Sequence, residues 1–312
     1  MKDLETEALC NLRRAYERSD LDRQKFWQLM RDHHLQLRTY PPLLAQGEVE
    51  SIQISAAGLI AQLKSGLKFF WNPENLRAPV SEAVNHGAYE LFAGRVLDRC
   101  AKGASLAVDA GANVGWYAVR MATAMASGRV IAYEPVRKTA TMLKANIALN
   151  GLSNRITVIS QGLAARPGRG EIFLPRDTGH VGASLRELHP KEISRKLAIR
   201  LTTLDESLSV NPAATLDLLK CDVEGAELMV LKGGVAVIER DRPVLFLELL
   251  RKWSAAFGYH PNEVIAWTEA LGYDCWAIGE NQLRRCKKIA DDTVETNFLF
   301  VQPNRDAELI EG

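Results

Sequence analysis

The chain has 312 residues, 47% of them hydrophobic and 25% charged, with a formal net charge of +1. That length can bury one large core with an appendage, or two modest cores. Near-neutral charge with scattered basic residues excludes a polyelectrolyte footprint for nucleic acid, and no apolar run reaches the roughly 18 residues of a transmembrane segment.

The first residues, MKDLETEALC, are acidic from the third position and lack a signal-peptide core, so a cytoplasmic protein is expected. Cys10, Cys100, Cys221, Cys275 and Cys286 are widely separated and show no paired metal-ligand spacing, which argues against structural disulfides and zinc. Cys221 reads as a small buried core residue.

In chain order, residues 1–38 read as two helices. Leu4, Ala8, Leu12 and Ala15 share one face at the 3.6-residue period. Ser19-Asp20-Leu21-Asp22 reads as a capped restart leading to Phe26, Met30, His33 and Leu37, and Pro41-Pro42 ends the unit. Such an apolar stripe requires a partner surface. That surface is either the protein's own core or a second copy, making a homo-oligomer through these helices one expectation. Two alternating runs follow, Val49–Ile54 and Leu59–Trp71, with turn residues Gly58 and Gly66. They predict a small β-element leading into the main core, with Phe69-Phe70-Trp71 packed on that core. Residues 1–78 are therefore assigned to an appendage and 79–312 to the principal domain.

From Leu106 strand and helix patterns alternate. Strands are expected at 106–110, 129–134, 156–160, 216–221, 243–248, 272–278 and 296–301, and helices at 115–126, 137–149, 225–239 and 261–271. The alternation predicts an α/β fold: a seven-stranded, mostly parallel, Rossmann-like sheet with helices on both faces. The short polar segment before the last strand suggests a hairpin, which makes that strand antiparallel. Residues 161–204, polar and glycine-containing, read as a long loop that lines the site or acts as a lid.

The segment Val108-Asp109-Ala110-Gly111-Ala112-Asn113-Val114-Gly115 places a glycine turn between a strand and a helix, where a ligand can approach backbone N–H groups. It fails the dinucleotide fingerprint, because Asn113 and Trp116 replace the second and third glycines. A carboxylate at Asp109 would repel a pyrophosphate but can be tied to an ammonium group. Glu134, after the second strand, is placed to accept hydrogen bonds from both ribose hydroxyls. A ligand with a ribose and an amino-acid tail but no phosphate describes S-adenosylmethionine, and the expected sheet is that of class I methyltransferases.

Asp222, Glu224 and Glu227 crowd the carboxyl end of the fourth strand, where ligands bind in open α/β sheets. Glu227 is explained as a first-turn acid of the next helix. Asp222 and Glu224 are the candidate general bases for methyl transfer to a hydroxyl, with Glu248, at the end of the fifth strand, facing the same cleft. Asp222 and Glu248 could alternatively be ligands for Mg²⁺. His180, on the insertion, is a further candidate base.

Several segments resemble one family: VDAGANVGWYAVRMA (108–122), VIAYEP (130–135), NIALNG (146–151), TTLDESL (202–208), LLKCDVEGAELMVLKGG (218–234) and RPVLFLEL (242–249). Together they are similar to FkbM-type methyltransferases, S-adenosylmethionine-dependent O-methyltransferases acting mainly on sugars and on hydroxyls of secondary metabolites. The resemblance covers roughly residues 80–301. It implies that Asp109, Gly111, Ala112, Asn113 and Gly115 hold the methionine end of the cofactor, and that Glu134 and Pro135 lie at the ribose. Gln161 and Gly162 would flank the adenine, Glu90 of the Tyr89-Glu90 pair would meet the ammonium group, and Asp222 would sit near the methyl. The implied acceptor is a small molecule or glycan. An N-methyltransferase and a non-catalytic cofactor-binding scaffold are the competing readings, and the broken glycine frame disfavours an NAD-dependent oxidoreductase.

Overall fold

In the computed structural model, which describes residues 8–175, 182–188, 195–209 and 213–311, the amphipathic N-terminus forms a helical hairpin. It comprises α1 (Ala8–Glu17) and α2 (Arg23–Gln36). Asp22 caps α2 by accepting from the Gln24 and Lys25 N–H groups, and the Tyr16 and Phe26 rings stack at 4.5 Å across the hairpin. Neither helix buries a residue, so the described part of the apolar stripe is not buried in the core. Pro41-Pro42 does not end the helical unit. These prolines occupy the first turn of α3 (Tyr40–Ala45), where a missing N–H has no intrahelical partner to lose.

A three-stranded antiparallel meander follows: β1 (Val49–Ser55), β2 (Gly58–Leu63) and β3 (Lys68–Trp71). The expected second run is thus two strands, because the chain reverses at Gly66. Phe69 is fully buried and stacks on Trp116 at 4.9 Å. The β3 backbone is latched by side chains of the main domain: Asn146 accepts from Phe70 N–H at 2.8 Å, and Asn150 accepts from Lys68 N–H at 2.9 Å. One continuous core therefore encloses residues on both sides of position 78.

After α4 (Pro79–His86) and α5 (Leu91–Lys102), the alternating region begins. It runs β4 (Leu106–Ala110), α6 (Trp116–Ala124), β5 (Arg129–Tyr133), α7 (Arg137–Leu149) and β6 (Ile156–Ile159). The expected loop 161–204 contains a ribbon, built from β7 (Gly162–Leu163), β8 (Gly168–Leu174) and β9 (Arg195–Thr202). Its strands bury Ile172, Leu174 and Ile199 against Val136, an alternation masked in the sequence by exposed Arg and Gly positions. After α8 (Leu204–Leu208) comes β10 (Leu218–Cys221). The single helix expected over 225–239 is two, α9 (Glu227–Lys232) and α10 (Val235–Asp241), interrupted at Gly233-Gly234, which has low helix propensity. The chain closes with β11 (Val244–Glu248), α11 (Arg251–Ser254), α12 (Pro261–Glu269), β12 (Asp274–Ile278), β13 (Leu283–Arg285) and β14 (Asn297–Val301).

The main sheet has order β13-β12-β14-β11-β10-β4-β5-β6. It holds eight strands rather than the expected seven, because three-residue β13 extends the edge as a hairpin with β12. The antiparallel last strand is as expected: β14 inserts between β11 and β12, antiparallel to both. Alternate residues of each strand face opposite sides. Ala107, Leu218 and Phe246 join the core on one face, while Val108, Leu219, Cys221 and Leu247 join the core on the other. Each fully buried large apolar side chain contributes about 1.5–3 kcal/mol. β4 pairs with β10 on one side and β5 on the other, so the chain reverses its winding there and opens a crevice at the strand carboxyl ends. No helix among the described residues is long and apolar enough to cross a membrane.

Candidate functional site

The turn after β4 is built to cross its neighbour at close range. Gly111 has φ +80, and a Cβ there would lie 1.8 Å from the Asp222 carbonyl oxygen. No side chain fits without displacing the end of β10. Gly111→Ala is therefore expected to destabilise the protein by about 1–3 kcal/mol and to weaken ligand binding in the cleft. A denaturation midpoint unchanged from wild type would contradict this packing.

The N–H groups of this turn are not bare. Gly111 and Ala112 both donate to the Tyr133 carbonyl, at 3.1 and 2.9 Å, and Gly115 donates to the Ala112 carbonyl at 2.8 Å. Asn113 donates to the Glu134 carboxylate at 3.0 Å, and that carboxylate also accepts from Val136 N–H at 2.8 Å. Four of the turn's N–H groups are thus spent within the protein. Glu134 is only 6% exposed; burial pushes its pKa up to about 7, against the lowering effect of the two N–H donors.

The neighbouring strand supplies a residue that sequence reasoning missed. Lys220 pairs in register with Asp109 across the parallel β10–β4 ladder, and its ammonium lies 3.5 Å from Asp109 and 3.3 Å from Asp222. It also sits 4.9 Å from the centre of the Tyr117 ring. Burial alone would depress the lysine pKa, but Asp222, Asp109 and Glu248 together raise it above the ordinary value, so the ammonium is permanent. Asp109 is fully buried. Burial raises its pKa, and the Lys220 charge is the main opposing influence.

Asp222, Glu224 and Glu248 each bring a carboxylate oxygen to within 4.8 Å of the others. They meet because the chain turns sharply after β10, with Glu224 at φ 56 and Gly225 at φ 97. Glu227 holds that turn: one carboxylate oxygen accepts from Val223 and Gly225 N–H, and the other from the Tyr259 hydroxyl. Its role is thus larger than complementing a helix end. Burial, and then the Asp222 charge, raise Glu224 and Glu248 well above the usual carboxylate range. The Asp222 side chain keeps 27% exposure.

One cleft is lined by Gly111, Asn113, Glu134, Pro135, Gly162, Asp222 and Glu224, so the structure brings half of the expected site residues onto one wall. Glu248 stands behind Asp222 and Glu224 in the carboxylate cluster. Gly115 caps α6 at φ 93, and Ala112 is buried in the core; both shape the turn rather than line the cleft. Gln161 is not on this wall. It lines a separate groove with Ile131, Thr157 and Ile159, because successive residues of an extended chain point to opposite sides. Glu90, at the start of α5, accepts from the Tyr117 hydroxyl and from Asn297 at 3.0 Å. It is thereby tied to the rear of the Lys220 cluster. His180 lies outside the described residues.

Comparison with known proteins places the chain in a family. The model of the methyltransferase FkbM domain matches residues 109–275. Methyltransferase sdnD of Sordaria araneosa is 28% identical over 152 residues, covering 40% of this chain and 59% of that protein. Methyltransferase 1 of Beauveria bassiana (strain ARSEF 2860) is 26% identical over 146 residues, covering 41% and 58%. The chain thus spans under two thirds of the length of these curated relatives. Among solved structures, an FkbM methyltransferase of Methylobacillus flagellatus KT aligns at TM-score 0.40 and 17% identity, over 63% of this chain and 43% of that one.

Proposed function

The chain belongs to the methyltransferase FkbM domain family, and from that premise we propose that it transfers a methyl group from S-adenosylmethionine to a hydroxyl of a carbohydrate or glycosylated metabolite. The observation that carries this reading is the shared cleft of Glu134 and Asp222, one a ribose acceptor by position and the other a partly open carboxylate. The residues present suit the cofactor. The turn spends four of its N–H groups within the protein, and Glu134, although tied to two N–H groups, keeps lone pairs for hydroxyl donors.

When bound, the cofactor supplies an electrophilic methyl group on a sulfonium. The protein's part is alignment of the acceptor and removal of its proton. Asp222 takes that proton: it opens on the cleft, and the Lys220 ammonium at 3.3 Å holds its carboxylate in place. Glu224 and Glu248, pushed up by burial and by Asp222, hold their protons and act as donors to the acceptor or to Asp222. Glu134→Ala should weaken S-adenosylhomocysteine binding by about 1–3 kcal/mol, the scale of lost charged hydrogen bonds. Calorimetry showing unchanged affinity would remove Glu134 from the ribose site.

A second reading rests on the proximity of the three carboxylates: Asp222 and Glu248 could hold Mg²⁺, which favours oxygen ligands. Lys220 already supplies a positive charge at that point, so the base reading needs no ion. Turnover that survives EDTA supports the base, and turnover restored only by added Mg²⁺ supports the ion. An amine acceptor would need no strong base, so methylation of amines unaffected by Asp222→Asn would favour N-methylation. The N-terminal hairpin, with Leu9 40% and Trp27 58% exposed, is proposed as a homo-oligomer interface. Deleting residues 1–40 should lower the mass by light scattering to that of a monomer, and an unchanged oligomeric state would refute it.

A further inference from the structure

Basic residues that are scattered in the sequence converge in the fold on a second groove, beside the cleft. Arg137 and Lys138 from the start of α7 line it together with Ser160, Arg169 of β8 and Arg195 and Arg200 of β9. The groove is a cavity of about 720 Å³ and shares Pro135 and Ile199 with the cleft.

The arrangement is electrostatically uphill for the chain alone. Arg169 and Arg200 are direct partners in the antiparallel β8–β9 register, and like charges in that position repel. Arg137 and Lys138 open a helix whose first turn carries no acid, the end at which cations are disfavoured. Glu171, the acid of this ribbon, is turned to Lys196 at 3.8 Å. None of the five groove cations has an ion-pair or side-chain hydrogen-bond partner among the described residues. An anion relieves all of these repulsions at once, and arginine forks suit phosphate oxygens in bidentate fashion.

We propose that this groove binds the diphosphate or polyphosphate group of a small-molecule ligand. A cavity of this size falls in the small-molecule range of about 300–1,000 Å³. Its floor includes the apolar side chains of Leu174, Leu197 and Ile199, suited to the carbon skeleton of such a ligand. A nucleic acid would call for an extended basic track and a basic overall balance, whereas the whole chain carries a net charge of +1. The proposal does not depend on the methyl-transfer reading, since the groove cations take no part in it.

The test is calorimetric titration of the full chain with inorganic pyrophosphate at low ionic strength, for wild type and for the Arg169→Ala/Arg200→Ala double variant. Both arginines are exposed, so folding is not at stake, and S-adenosylhomocysteine binding serves as the internal control. Saturable binding is expected in wild type and should weaken at least about tenfold in the variant, the scale of lost charge-assisted hydrogen bonds, with the control unchanged. No saturable binding, or equal binding by the variant, would overturn the proposal. A short RNA oligonucleotide that binds more tightly than pyrophosphate through the same arginines would overturn the small-ligand assignment in favour of nucleic acid.

Discussion

Lys220→Met is expected to cost the folded state about 3–5 kcal/mol at neutral pH, the scale for breaking a buried ion pair from one side. The lysine side chain is 4% exposed and Asp109 is 0% exposed, so no water replaces the ammonium beside that carboxylate. Methionine keeps most of the volume and removes only the charge. The sign of the pH dependence follows from Asp109. Left unpaired and buried, its folded pKa lies above its unfolded value of about 3.9. The variant is therefore least disadvantaged below that unfolded pKa and loses stability as pH rises through the folded one. Urea denaturation across pH 4–8 reads this directly. Adding Asp109→Asn to the variant should recover part of the loss, because the stranded charge is gone. A single variant as stable as wild type at every pH would mean that Lys220 and Asp109 carry no functional charge pair.

The second large effect is on turnover. Asp222→Asn keeps the shape of the side chain and its place beside Lys220 but removes the proton acceptor. Turnover should fall at least about a hundredfold, as for loss of a general base. S-adenosylhomocysteine affinity should stay within a few fold, since the partly exposed Asp222 side chain can be replaced by a solvated amide. If turnover survives, Glu224 becomes the base, because it shares the cleft and has a buried, unpartnered carboxylate oxygen.

Much of this layout was legible from residue pattern. Strand Leu106–Ala110 and helix Arg137–Leu149 fall where the periodicities place them. The turn glycines, Glu134 and the acids after β10 gather at one crevice because each sits at a strand's carboxyl end. What escaped has a common cause: it depends on register and on contacts between distant segments. Lys220 stands in an apolar run, where a charge argues against burial until its ladder partner Asp109 is known. The β8–β9 ribbon looked like a loop because its exposed face carries arginines and its apolar face only a few residues. The basic groove draws on positions 137, 138, 169, 195 and 200, which only the ribbon's fold onto the start of α7 brings together. Gln161 was placed one residue from a true cleft position, Gly162, and in an extended chain one residue reverses the face.

The charge layout also explains why a cluster so rich in acids can persist in a folded protein. Asp109, Glu90, Asp222, Glu224 and Glu248 surround a single lysine, and they cannot all ionise in a buried setting. Burial and the Asp222 charge raise Glu224 and Glu248 well above the usual carboxylate range, while Asp222 lies 3.3 Å from the ammonium with its side chain 27% exposed. On the proposed function, environment rather than residue type would divide the acid–base roles.

The central claim is most directly tested by calorimetric titration of the purified full chain with S-adenosylhomocysteine, with NAD as the control. One site per chain with micromolar affinity is predicted, weakened by Glu134→Ala and indifferent to EDTA, with no heat from NAD. Absence of S-adenosylhomocysteine binding, or preferential binding of NAD, would contradict the assignment of this cleft.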